Sequence, residues 1–316
     1  MMRNKKNRQQ KYKVFISTSS FGEYSQEPLA TLEKAGLEVR LNPLNRKLKI
    51  QETIQFIKEV DFLIAGTEDL SRDVLRRASR LKIISRCGVG LDNVDLKAAQ
   101  DLGIKVLNTS AAPTHAVAEL TVGLMLDLLR QISSMDRAIR SGLWQKKMGA
   151  LLKNTKIGII GYGQIGKEVG RLCHALGAEF CFYDPALKRV ESNENVCLDL
   201  PQLLRQSDIV TLHVSYAKEN HHLIGKKELS IMKKSAFLIN CARGGLVDEE
   251  ALYRAIKKGH IAGAALDVFE NEPYQGPLIE CDNVILTPHI GSYAREARIK
   301  MEVDSANNLV DAMRKI

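Results

Sequence analysis

No two cysteines stand in C-x-x-C spacing. The six present (Cys87, Cys173, Cys181, Cys197, Cys241 and Cys281) are too sparse for a disulfide scaffold. They read as reduced thiols, which points to a cytoplasmic protein. Long apolar runs are missing too. The most apolar long stretch, Ala116 to Leu129, is interrupted by Glu119 and Asp127, so no membrane contact is expected. The N-terminus carries charge without the apolar segment of a secretory signal. Aromatic residues make up only 5% of the chain against 45% hydrophobic residues, so each core must be mainly aliphatic. There is no solenoid repeat and no low-complexity tract. Negative charge is also missing at the start, where Arg3, Lys5, Lys6, Arg8, Lys11 and Lys13 precede the first acid, Glu23. Without those six the net charge falls from +9 to +3. The excess therefore belongs to a solvated arm, residues 1–12, and not to a nucleic-acid-binding surface.

At 316 residues the chain exceeds the usual size of one domain. Short β-like runs alternate with helical patterns from end to end, which predicts an α/β protein with parallel sheets built from β-α-β units. Strands are expected at 13–17, 38–41, 61–65, 82–85 and 105–107, with helices near 26–36, 50–58, 71–79 and 95–102. Pro113 precedes a long helix expected over about 114–136, whose stripe is Val117, Leu120, Leu124 and Leu128. A second series of strands follows at 156–160, 179–183, 208–212, 236–239, 261–267 and 284–287. An amphipathic helix near 293–314 closes the chain. Six strands suffice for a second doubly wound unit.

The stretch KIGIIGYGQIG places Gly161, Gly163 and Gly166 in G-x-G-x-x-G spacing between a strand and a helix. Gly161 permits the tight turn, Gly163 lets backbone amides approach a pyrophosphate, and Gly166 lets helix and strand pack closely. The next strand ends in Asp184, 18 residues after Gly166. A carboxylate there can accept from both adenosine ribose hydroxyls and repels a 2′-phosphate, so NAD is the expected cofactor. Lys188 and Arg189 lie nearby, but Asp184 should prevail.

Three further positions follow strand ends, where open α/β sheets bind ligands. They are Arg243 after 236–239, Glu272 in DVFENEP and His289 in TPHIGS. Arginine keeps its charge and can clamp a carboxylate while polarising the neighbouring oxygen. Histidine can pass a proton to that oxygen, and a glutamate beside the ring favours its charged form.

Together GYGQIG, NCARGGLVDEEAL, GAALDVFENEP and TPHIGS resemble the D-isomer-specific 2-hydroxyacid dehydrogenases from about residue 13 to 310. SRCGVGLDNVDLKAA and VLNTS…AVAELTVGLML resemble the phosphoglycerate-type members. The resemblance implies a flavodoxin-like substrate domain (13–109 and 290–316) and an inserted Rossmann NAD-binding domain (110–289), with the active site in a cleft. It assigns catalysis to Arg243, Glu272 and His289. It assigns the substrate carboxylate to the amides of Gly88, Val89 and Gly90 beside Arg86, and to Arg243. Further cofactor contacts follow at Gln164, Ile165, His213, Val214, Cys241, Ala242, Arg243, Asp267, His289 and Gly291. Asp267 corresponds to a carboxylate near the nicotinamide amide. No metal is expected, and a homodimer built through the NAD domain and helix 114–136 is implied. The implied reaction passes hydride between NAD(H) and a D-2-hydroxy acid/2-oxo acid pair. 3-Phosphoglycerate/3-phosphohydroxypyruvate comes first, with a glyoxylate, hydroxypyruvate or D-lactate-type reductase as alternative. An NAD(H)-sensing corepressor of the same superfamily is the alternative of another class.

The chain departs from that pattern in three places. Phosphoglycerate-type members commonly carry an arginine after the third strand, whereas this chain has Ala65-Gly66-Thr67-Glu68. Arg86, Arg46, Lys47, Lys146 and Lys147 are the other cations that could meet a phosphate. His213-Val214-Ser215 replaces a common His-Thr-Pro. The chain stops after its closing helix, as expected of a short form without a regulatory domain. Glu272, where formate dehydrogenases have glutamine, disfavours that reaction.

Overall fold

The computed structural model describes residues 11–109, 111–187 and 196–316. Residues 1–10 of the expected basic arm, and Lys188 and Arg189, lie outside them. The chain divides into two compact units. One runs to Pro113 and resumes at Ala294–Ile316, and the other is Thr114–Tyr293. These divisions fall a few residues beyond 109 and 289.

The first unit is a five-stranded parallel sheet of β1 (Lys13–Ile16), β2 (Glu38–Leu41), β3 (Phe62–Ala65), β4 (Ile83–Arg86) and β5 (Lys105–Asn108). Its order β2-β1-β3-β4-β5 is the flavodoxin-like winding. One face packs Phe15, Leu63, Ile84 and Leu75, and the other packs Val14, Ile64, Ile83 and Leu309 of the closing helix Arg295–Met313. Burial on both faces explains why β3 reads Phe-Leu-Ile-Ala without polar alternation. Each such aliphatic side chain contributes about 1.5–3 kcal/mol when fully buried.

The second unit is a seven-stranded parallel sheet of β6 (Lys156–Ile160), β7 (Glu179–Tyr183), β8 (Val196–Cys197), β9 (Ile209–Leu212), β10 (Phe237–Asn240), β11 (Gly263–Leu266) and β12 (Val284–Leu286). Its order β12-β11-β10-β9-β6-β7-β8 is the dinucleotide-binding winding with one added strand. The expected count of six missed β8, which at two residues is too short to show any apolar period.

The long helix expected over 114–136 is two helices, Thr114–Arg130 and Ile132–Arg140, broken at Gln131 with φ +52°. The Asp127 carboxylate accepts from both the Ser133 amide and the Ser133 hydroxyl, and so starts the second helix from within the first. All six cysteines are buried free thiols. No described helix is long and apolar enough to cross a membrane.

Candidate active site

Strand register sets the site of the second unit. Ile160 pairs with Tyr183 and with Leu212, Asn240 pairs with Leu212 and Leu266, and Leu266 pairs with Leu286. The next residues of those strands, Asp184, Gly161, His213, Cys241, Asp267 and Thr287, therefore stand in one row at the C-terminal tips. The strand order reverses between β6 and β9, which puts Gly161 and His213 at the switch point.

The three glycines have distinct physical duties. Gly161 has φ +94°, and a Cβ there would lie 2.6 Å from the His213 carbonyl carbon and the Val214 nitrogen. A Cβ on Gly166 would lie 2.0 Å from the Gly161 oxygen, so this glycine lets the helix Gln164–Ala175 sit against its own turn. A Cβ on Gly163 would meet nothing within 4 Å. That open volume lies before a helix start that no side chain caps, as a pyrophosphate-binding turn requires. Gln164 and Ile165 open this helix. Asp184 is half-buried, and its two oxygens accept from the Tyr162 and Ala186 amides at 2.9 Å, which aims the carboxylate along the same edge.

His213 holds its Nε2 3.0 Å from Thr211 Oγ1, while its Nδ1 is buried without a hydrogen-bond partner. Burial pushes the ring down to about 3, so it is neutral near pH 7. Cys241 is buried and its thiol is pushed up to about 12 by desolvation, which makes it inert packing. The Ala242 amide donates to Asn240 Oδ1, and Asn240 Nδ2 returns to the Arg243 carbonyl, which shapes the tip that presents Arg243. Arg243 is half-buried, and its Nη1 donates to the Ala242 oxygen at 2.7 Å. A Cβ on Gly244 would lie 1.9 Å from the Phe269 carbonyl carbon. Only glycine lets the Arg243 tip reach the turn that carries Glu272.

Glu272 and His289 form a pair, with Nδ1 of His289 at 3.0 and 2.9 Å from the two carboxylate oxygens. Glu272 Oε1 also accepts from the Phe269 amide. With Nδ1 committed to the carboxylate, Nε2 is the nitrogen left to exchange a proton. His289 has φ +55°, a conformation that costs free energy outside glycine and must be held. Asp267 holds it. This carboxylate is 1% exposed and accepts from Thr287 Oγ1 at 2.6 Å and from the Ile290 and Gly291 amides at 2.8 Å. The resemblance places Asp267 near a nicotinamide amide, and in this structure its two oxygens also anchor the histidine loop.

The first unit carries the loop proposed for the substrate carboxylate. Gly88 has φ +147°, and its amide donates to Thr109 Oγ1 and the Arg86 carbonyl. Val89 and Gly90 are half-buried, with the Val89 carbonyl accepting from Asn108 Nδ2. The Arg86 side chain folds over Gly88, and its Nη1 donates to the Cys87 oxygen.

Sequence reasoning passed over Glu68 as a functional group. It is 2% exposed, accepts from Ser17 Oγ at 2.6 Å and from the Gly66 amide at 3.0 Å, and burial pushes its carboxyl up. Arg86 is close enough to oppose that shift. The only sequence signal was an acid directly following an apolar strand. Arg46, another candidate cation, is bound through its two terminal guanidinium nitrogens to Glu52.

Residues 122–291 match the family model described as the D-isomer specific 2-hydroxyacid dehydrogenase NAD binding domain. The chain is 43% identical over 256 residues to the D-3-phosphoglycerate dehydrogenase of Methanocaldococcus jannaschii. That match covers 78% of this chain, which spans about half (49%) of the relative's length. The hydroxypyruvate reductase of Thermotoga maritima is 36% identical, with 93% of this chain and 96% of that protein covered. The crystal structure of the Aquifex aeolicus D-lactate dehydrogenase complexed with NAD and lactic acid aligns with TM-score 0.83 at 29% identity. It covers 96% of this chain and 95% of that one.

Proposed function

Because the chain belongs to the D-isomer specific 2-hydroxyacid dehydrogenase family, we propose that it reduces a small, unphosphorylated 2-oxo acid to the D-2-hydroxy acid with NADH, reversibly. The turn at Gly161 and Gly163 and the amides opening helix Gln164–Ala175 would hold the pyrophosphate, and Asp184 the adenosine ribose. NADH, when bound, supplies the hydride. Arg243 binds the substrate carboxylate and draws electron density toward the C2 oxygen. His289 donates the Nε2 proton to that oxygen as C2 is reduced, and Glu272 stabilises the imidazolium before transfer. In oxidation the same nitrogen takes the proton back. The Val89 and Gly90 backbone is assigned to the carboxylate end of the substrate.

Glu68 carries the substrate reading. The group that stands after β3 is a buried carboxyl whose ionised form burial disfavours, and it supplies no positive charge to a phosphate dianion. Arg46 is likewise spent on Glu52. A second reading, 3-phosphohydroxypyruvate, is favoured by the 43% identity to the M. jannaschii protein. A homodimer is part of the proposal, since Leu143, Trp144, Met148 and Leu151 expose four large apolar side chains within nine residues, which a second copy would cover.

Initial rates with NADH and a set of 2-oxo acids test this. Glyoxylate or hydroxypyruvate should exceed 3-phosphohydroxypyruvate in kcat/KM by at least about tenfold, or about 1.4 kcal/mol; the opposite order establishes the second reading. His289→Ala should lower kcat about 10²–10⁴-fold with NADH binding retained. Near-normal turnover in that variant removes His289 from the chemistry, and no turnover by the unaltered protein with any 2-oxo acid favours the corepressor class.

A further inference from the structure

Two adjacent imidazoles and a carboxylate that the proposed reaction does not use converge on the second unit. His221 and His222 follow the short turn Lys218–Asn220, and Glu270 lies in the turn after β11. One nitrogen of each ring and one oxygen of Glu270 lie within 4.8 Å of one another. Among the described residues no other three histidines, cysteines or carboxylates converge in this way.

The parts are held individually. His222 has φ +54°, and its amide donates to the Gly245 carbonyl at 2.8 Å. Its Nε2 is in direct contact with Glu270 Oε1. The Glu270 amide donates to Glu249 Oε1 at 2.8 Å. His221 stacks on His222 with ring centroids 3.8 Å apart and planes 25° from parallel, so two ring edges lie side by side. Tyr216 Oη lies 3.3 Å from His221 Nδ1. With Nδ1–H donating to that oxygen, Nε2 keeps its lone pair, the outer contact that commonly orients a ligating imidazole. Glu249, whose carboxyl burial pushes up, lies within electrostatic reach of Glu270 and His222.

We propose that His221, His222 and Glu270 form a binding site for a divalent transition metal ion of the zinc class, with water completing its coordination. Ligand atoms at about 2.0–2.2 Å from a tetrahedral ion stand roughly 3.4 Å apart. His222 and Glu270, now in direct contact, must therefore part to admit the ion while His221 draws nearer, which side chains that are exposed or half-buried can supply by rotation. Two imidazoles and one carboxylate suit zinc and its neighbours and do not suit magnesium, which prefers an all-oxygen octahedron.

Calorimetric titration of the metal-free, untagged protein with ZnCl2, and separately with MgCl2, tests the site. The expected result is one Zn²⁺ per chain and no Mg²⁺ binding. His222→Ala and Glu270→Gln should each weaken Zn²⁺ by at least about tenfold with unchanged circular dichroism. Glu270→Gln keeps the size of an exposed side chain, and so decides the matter even if His222→Ala misfolds. His289→Asn should leave Zn²⁺ binding intact. Absence of Zn²⁺ binding overturns the proposal. So does affinity unchanged by Glu270→Gln, and so does affinity lost only in His289→Asn, which would put the ion on the histidine–glutamate pair.

Discussion

Each unit has a parallel sheet whose order reverses between two neighbouring strands, β1 and β3 in the first and β6 and β9 in the second, yet the two reversal points are finished in opposite ways. In the first, the chain fills its own crevice: Glu68 accepts from Ser17 and Gly66, and Arg86 occupies the space above Gly88. In the second, Gly163 leaves open volume before an uncapped helix start, and His213 keeps a buried nitrogen unpartnered. A switch point is thus a geometric opportunity. It becomes a cofactor site where open volume is left for the ligand, and a shaped wall where side chains take up the space.

The largest expected effect separates packing from ligand binding within the second crevice. Gly166→Ala should lose about 3 kcal/mol, because its Cβ meets a backbone oxygen that cannot move aside. Gly163→Ala should cost less than about 1 kcal/mol in the free protein but weaken NADH at least about tenfold, since its Cβ enters ligand space. Urea midpoints and NADH fluorescence titrations measure both. Equal stability losses at the two positions would erase the distinction between packed and open glycines.

A smaller effect is carried by His213. Its folded pKa of about 3 lies below the ordinary 6.5, so the unfolded chain takes up the proton first as pH falls. The stability contributed by the neutral ring is therefore complete above about pH 6.5 and is lost progressively below it. Between pH 7 and 5 the loss should reach about 2 kcal/mol. His213→Gln should flatten that part of the pH–stability curve, and an unchanged slope would show that the ring is not shut off from solvent. The smallest effect concerns cofactor choice. NAD(H) should exceed NADP(H) by at least about tenfold in kcat/KM, about 1.4 kcal/mol, and Asp184→Ala should erode this. Equal rates with both cofactors in the unaltered protein would place the discrimination elsewhere.

The cofactor crevice was more legible than the wall because its determinants are local. Gly161, Gly163, Gly166 and Asp184 sit in one β-α-β segment, so spacing alone conveys their geometry. Glu68 was read only as part of a departure from a motif, since its burial depends on Ser17, 51 positions away. The helix break at Gln131 was invisible for a related reason. The apolar stripe continues past it, and no glycine or proline marks the break, where an Asp127 side chain starts the second helix.

By itself the sequence determined that strands and helices alternate, that both sheets are parallel, and where every strand but β8 ends. These follow from apolar runs and turn residues within a few positions of one another. It also determined which residue types stand at those ends, Arg243 and His289 among them. Only the tertiary structure decided what the ends do together. Register laid Asp184, Gly161, His213, Cys241, Asp267 and Thr287 in one row, and bent the Asp267 carboxylate under the histidine loop. The same folding brought His222 to Glu270 across 48 positions. Hydrogen bonds and ion pairs act over a few ångströms, and only chain packing determines which distant residues come within that range.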